Sequence, residues 1–194
     1  MRFRPILSIL PLLFLALPLA AQTLPAATQS GLPLLVGGGV ADYNIDFGGG
    51  RRMMGFSGWA DWGFSRLRWR PVQSFGVEAT GHALRLGIPA GFSRMREDSL
   101  LAGPTYTLRR SRRVHPYAKY LMGIGRIDFP PYPGGYDHDS RTISALGGGL
   151  DVHAYGNFWL RGDYEYQRWK HIFGENALTP NGFTLGLSYD FRRR

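Results

Sequence analysis

An all-β fold, a closed antiparallel up-and-down transmembrane β-barrel of eight strands, is what the sequence predicts. Three observations carry that prediction. Apolar and polar residues alternate with period two through eight segments, connections rich in glycine and proline separate them, and no segment holds a sustained 3.6-residue apolar stripe.

The first 21 residues are expected to lie outside the fold. Met1-Arg2-Phe3-Arg4 is a short basic start, residues 6–20 carry no charge, and Leu19-Ala20-Ala21 ends the run on small residues. This is the pattern of a cleaved signal peptide, 1–21. The run is shorter than a bilayer-spanning helix needs and is broken by Pro11 and Pro18. Residues 22–32 read as a flexible lead-in, and 33–194 as the barrel domain.

Within the barrel the expected strands are 35–47, 54–64, 75–85, 99–109, 116–128, 141–155, 157–169 and 181–191. Three separate cleanly into two faces. In the fourth, Leu100, Ala102, Pro104, Tyr106 and Leu108 oppose Ser99, Gly103, Thr105, Thr107 and Arg109. In the seventh, Phe158, Leu160, Tyr164 and Tyr166 oppose Arg161, Asp163, Glu165 and Gln167. In the last, Phe183, Leu185, Leu187, Tyr189 and Phe191 oppose Gly182, Thr184, Gly186, Ser188 and Asp190. Closing such a meander on itself removes its two exposed edges.

Which face points inward decides whether the barrel is soluble, with an enclosed apolar ligand site, or embedded in a membrane. Bulky Leu, Phe and Tyr on one face against charges and small Gly, Ser and Thr on the other suit a narrow polar lumen and a lipid-facing wall. Segments of this length cross a bilayer at a tilt. Trp59, Trp62, Trp69, Trp159 and Trp169, in or beside strands, are expected in interfacial aromatic girdles. The 194-residue chain has no cysteine, which excludes disulfides, thiolate metal sites and thiol nucleophiles. Its net charge of +9 comes with no recognition helix, so nucleic acid is not an expected partner.

The exported start, the glycine-rich strands around Gly37-Gly38-Gly39, Gly123-Ile124-Gly125 and Gly147-Gly148-Gly149, and the closing Gly182-Phe183-Thr184-Leu185-Gly186-Leu187-Ser188-Tyr189-Asp190-Phe191 resemble the small outer-membrane β-barrel proteins of Gram-negative-type bacteria, the OmpA/OmpX-like group. The resemblance implies an outer-membrane location, lipids as surroundings, a monomeric state and no cofactor. It implies delivery by the barrel assembly machinery, which reads a terminal aromatic and the aromatic two positions before it. Phe191 and Tyr189 match, and Arg192-Arg193-Arg194 follow them. The peptidoglycan-binding module of larger relatives is not expected here.

With a periplasmic N-terminus, as the resemblance implies, the outer loops are 48–53, 86–98, 129–140 and 170–180, and the inner turns 65–74, 110–115 and 155–157. Arg66, Arg68, Arg70, Arg109, Arg110, Arg112, Arg113, Arg192, Arg193 and Arg194 then form a basic periplasmic rim. Such a rim either touches anionic headgroups or is simply solvated. The polar faces send Asp42, Asp61, Glu78, His82, Lys119, Asp151, His153, Arg161, Asp163 and Glu165 into the lumen. Charges of both signs there predict a paired network that plugs the barrel rather than an open pore.

Lipid-modifying chemistry is the alternative to a structural or surface-interaction role. Its candidates are weak. Glu78 and His82 share a face but lie about 13 Å apart along an extended strand. Asp137-His138-Asp139-Ser140 groups acid, base and hydroxyl only in sequence. The glycine triplets precede no helix, so they read as close strand packing and not as phosphate-binding loops.

Overall fold

The computed structural model describes residues 33–46, 51–64, 72–86, 95–109, 111–128, 138–172 and 176–191. Alternating sequence becomes extended chain throughout: β1 (Leu34–Ile45), β2 (Arg51–Gly63), β3 (Phe75–Leu86), β4 (Arg96–Thr107), β5 (Val114–Asp128), β6 (His138–Tyr155), β7 (Phe158–Ile172), β8 (Asn176–Leu178) and β9 (Asn181–Asp190). A 3-10 turn, Val72–Ser74, precedes β3. The eight long strands pair antiparallel, each with its neighbours in sequence, and β1 pairs with β9, with Val40 opposite Leu185. The sheet is a closed eight-stranded barrel, and β8 is a short addition on β7.

Closure leaves the eight long strands without a free edge at mid-barrel, where their backbone ladders are satisfied inside the wall, as hydrocarbon demands. Side chains point alternately into the barrel and out of it. Outward-facing Phe56, Ile124 and Leu185 are 73%, 66% and 65% exposed, whereas inward-facing Glu78, Glu165 and Gln167 are fully buried. A soluble barrel would reverse those faces, so the apolar face is the lipid-facing one. Aromatic pairs such as Phe75 with Tyr106 and Phe158 with Tyr189 stud the outward face near the short turns, with ring centroids 5.1 and 5.3 Å apart.

The two ends differ. At the turn end, β6 and β7 are joined by Gly156-Asn157, and Gly156 takes a left-handed φ of 57° that a side chain would oppose. At the loop end the strands run further than the sequence predicts. β2 starts at Arg51, β4 at Arg96 and β6 at His138, while β7 continues to Ile172, all within stretches expected to be loops. Charged residues that read as loop are strand residues projecting beyond the apolar band. Residues 1–32, the expected signal peptide and lead-in, lie outside the described residues.

Candidate functional site: the barrel interior

The interior is layered, and the middle layer is ionic. Arg161, on β7, sits directly opposite Asp151 on β6 and grips it with both edges of a fork, Nε to Oδ1 at 2.7 Å and Nη2 to Oδ2 at 2.9 Å. Its third nitrogen donates to Glu78 Oε2 on β3 at 2.7 Å, and Asp61 of β2 lies 3.8 Å away. The guanidinium also stacks near Tyr117 and Trp59, 4.5 and 5.2 Å from the ring centroids. Lys119, on β5, takes the other side of Glu78 at 3.0 Å and reaches Asp163 and Glu165 at 3.1 Å each. The Tyr117 hydroxyl donates to the remaining oxygen of Asp163. Two cations thus hold five carboxylates, and Glu78 bridges the two halves.

Fixed partners make this burial tolerable. Fully desolvated charges persist only when paired and hydrogen-bonded, and Arg161 and Lys119 use their donors on several carboxylates at once. A second chain of contacts climbs β7: Trp169 Nε1 donates to Gln167, Gln167 donates to Glu165, each at 2.8 Å, and His82 lies 3.4 Å from Glu165. Glu78 and His82, separated along β3, engage different partners.

Above the ionic belt, toward the loop end, lies an apolar layer that the sequence reading did not foresee. Tyr43, Ile45, Met53, Leu84, Leu101, Leu121, Ile127, Ile143, Trp169 and Ile172 are all inward and buried, with Leu178 of β8 among them. Below it, toward the turn end, Leu35, Trp59 and Trp159 form a smaller apolar group. His115 and His153 flank Trp159, at 4.5 and 5.1 Å between ring centroids. Glycine lets the wall close on these side chains. A Cβ on Gly39 would stand 2.1 Å from the Leu185 carbonyl oxygen, and one on Gly125 2.3 Å from the Trp169 ring. The triplet around Gly39 therefore serves close packing.

Two sequence expectations are corrected. Asp42 does not join the lumen set: it lies on the outward face of β1, near the loop end, where it pairs with Arg52 of β2. Polarity alone points inward only inside the apolar band, and Asp42 sits beyond it. Three of the tryptophans are not girdle residues. Trp59, Trp159 and Trp169 are buried inside, and Ser188 and Gln167 satisfy the indole N–H groups of Trp59 and Trp169. Only Trp62 faces out among the described tryptophans, and Trp69 lies outside the described residues. In a Trp69→Phe background, brominated acyl chains are expected to quench one emission component, which Trp62→Phe removes. Quenching that survives that change would place the inner indoles in lipid.

Of the remaining candidates, Asp61, Glu78, His82, Lys119, Asp151, Arg161, Asp163 and Glu165 meet in the ionic belt, while His153 lies at the turn end, 2.9 Å from the Gly156 carbonyl oxygen. Of the expected basic rim, Arg112 and Arg113 are exposed in the β4–β5 turn, and Arg109 turns inward to bond the Gln73 carbonyl at 3.0 Å. Arg66, Arg68, Arg70, Arg110, Arg192, Arg193 and Arg194 lie outside the described residues, as does Asp137. Asp139 pairs with Arg141 at 3.1 Å, and Ser140 donates its backbone N–H to Asp139. Along β6, His138 and Ser140 alternate with Asp139, so acid and base point to opposite faces.

Known structures share the architecture. The crystal structure of Neisserial surface protein A aligns with a TM-score of 0.65 at 14% identity, over 82% of this chain and 97% of that one. Ail, the attachment invasion locus protein of Yersinia pestis, aligns with a TM-score of 0.59 at 22% identity, over 84% and 99%. At those identities the likeness is one of fold. No curated protein matches the sequence. The family model for the outer membrane protein beta-barrel domain matches residues 12–191. A match over so much of the chain, on a closed barrel with a lipid-facing apolar wall, makes this chain a member of the outer membrane protein beta-barrel domain family, resident in the bacterial outer membrane.

Proposed function

We propose that the barrel is a sealed, non-conducting element of the outer membrane with a structural and surface-interaction role rather than a catalytic one. One observation carries the reading. The ionic belt around Arg161 and Lys119 and the apolar layer around Tyr43 and Trp169 fill the lumen in succession along its axis. A cation entering from the loop end would have to cross the apolar layer, and then break pairs that already satisfy the charges beneath it. The separation of His138 and Ser140 from Asp139 argues against a catalytic set on β6.

The same reading takes the barrel as a monomer, assembled by the machinery that recognises a closing strand ending in Tyr189 and Phe191. The exposed Arg112 and Arg113 support a basic turn-end rim in contact with anionic headgroups.

Planar-bilayer recording tests the seal. The folded full chain is expected to show no stable unit conductance across a wide voltage range. Reproducible, ion-selective steps from heat-modifiable, purified barrel would sink the reading.

A further inference from the structure

An acid that the ionic belt does not include stands in the apolar layer above it. Glu97, on β4, is fully buried, and neither of its carboxyl oxygens has a hydrogen-bond partner. Its cross-strand neighbours are Leu84 on β3 and Ile127 on β5, both inward and buried, and Met95 precedes it on the same face.

The cations around it are engaged elsewhere. Lys119 holds Glu78, Asp163 and Glu165, and Arg161 holds Glu78, Asp61 and Asp151. On the outward face Arg85 and Arg96 stand opposite each other across β3 and β4 with Asp98 between them, and Arg126 of β5 binds Asp128. The titratable groups on Glu97's own side of the wall are Glu165 of β7, Tyr43 of β1 and, deeper on β3, His82, which lies against Glu165. None of them brings a cation to Glu97.

Height sets which medium the acid can reach. Outward Arg96 and Asp98 bracket it, and Leu100, three residues on, belongs to the outward apolar face. Three residues of extended chain span about 10 Å, so Glu97 stands above the apolar band, where β4 projects beyond it. A carboxylate without a partner is far costlier to bury than the neutral acid. Burial, with Glu165 and Asp98 adding like charge, pushes the Glu97 carboxyl up to about 8.

From this placement we infer that Glu97 is a pH-sensitive latch at the loop end: it keeps its proton while the apolar layer is closed, and giving that proton to water loosens the layer. Its ordinary value is 4.5, so between there and about 8 the folded barrel holds a proton that the unfolded chain has released. The stabilisation is fully present below that window, falls as pH rises through it and is gone above it. The belt beneath keeps its own pairs, so the latch loosens the loop end and leaves the mid-barrel seal in place.

Urea unfolding of the full chain in micelles, scored by the gel shift between folded and boiled species across this pH range, tests the latch. Glu97→Gln and Glu97→Met both remove the titration, and methionine suits the apolar neighbours where the amide does not. Relative to either variant, the unfolding constant of the wild type is expected to rise about tenfold per pH unit between about pH 5 and pH 8, and to level off above. Hydrogen exchange above pH 8 then locates the change: amides at the loop end of β3, β4 and β5 should exchange faster in the wild type than in Glu97→Gln, and those around Arg161 equally in both. A difference between wild type and folded variants that stays constant or shrinks as pH rises overturns the latch. Exchange that quickens evenly along the strands overturns its confinement to the loop end. Failure of both neutral variants to fold, with the wild type stable above pH 8, would show that the charge is required, and overturns it as well.

Discussion

Arg161→Met is expected to destabilise the barrel by about 3–5 kcal/mol, the scale for removing one partner of a buried ion pair. The loss does not come from the attraction alone. Asp151 is bound by both ends of the guanidinium fork, and Glu78 by its third nitrogen, so one substitution strands buried carboxylates. Urea unfolding in micelles, followed by the gel shift between folded and boiled species, measures the effect. The same experiment separates charge from packing. Adding Glu78→Gln and Asp151→Asn to Arg161→Met should recover a good part of the loss, because neutral amides need less from their surroundings than bare carboxylates. A loss below about 1 kcal/mol for Arg161→Met, typical of surface pairs, would mean that the belt is wetter than its burial implies.

Gly123→Ala is expected to cost at least about 3 kcal/mol, beyond the usual range for overpacking, because the added methyl meets backbone instead of a movable side chain. A Cβ there would lie 1.9 Å from the Leu100 carbonyl oxygen and 2.7 Å from the Leu101 Cα, so β4 and β5 would have to separate. Gly58→Ala is the matched control. Its Cβ would face outward with its nearest neighbour, the Gly37 carbonyl oxygen, 3.8 Å away, and it should leave stability within about 0.5 kcal/mol of wild type. Equal behaviour of the two variants, on the same unfolding curve, would refute the close approach of β4 and β5.

The architecture was readable because alternation is strong wherever the two faces differ in polarity. β7 shows this best: Arg161, Asp163, Glu165 and Gln167 declare one face and Leu160, Tyr164 and Tyr166 the other. The apolar layer of the interior was not readable, for the complementary reason. Leu101 sits beside Leu100, and Leu121 between Tyr120 and Met122, so inward and outward residues are equally apolar and the period disappears. Trp59, Trp159 and Trp169 misled for a chemical reason: an indole serves at a lipid interface or as a buried filler with one polar contact, and sequence does not distinguish the two. The facing pair Arg85 and Arg96 was hidden by distance along the chain: they belong to different strands, and only the register sets them opposite each other.

One further consequence follows from where the charges of the belt are not. The groups that bind Arg161 and Lys119 come from β2, β3, β5, β6 and β7, whereas β1 and β9 face the interior at mid-barrel with Gly37, Gly39, Ala41, Thr184, Gly186 and Ser188. At mid-barrel the seam where first and last strands meet thus carries no charge, and the inward carboxylate of β9, Asp190, lies at its turn end. The ion pairs of the belt can therefore gather while the curved sheet is still open, and zippering at that height desolvates only small neutral side chains and backbone amides. Opening the seam at mid-barrel breaks none of the belt's ion pairs.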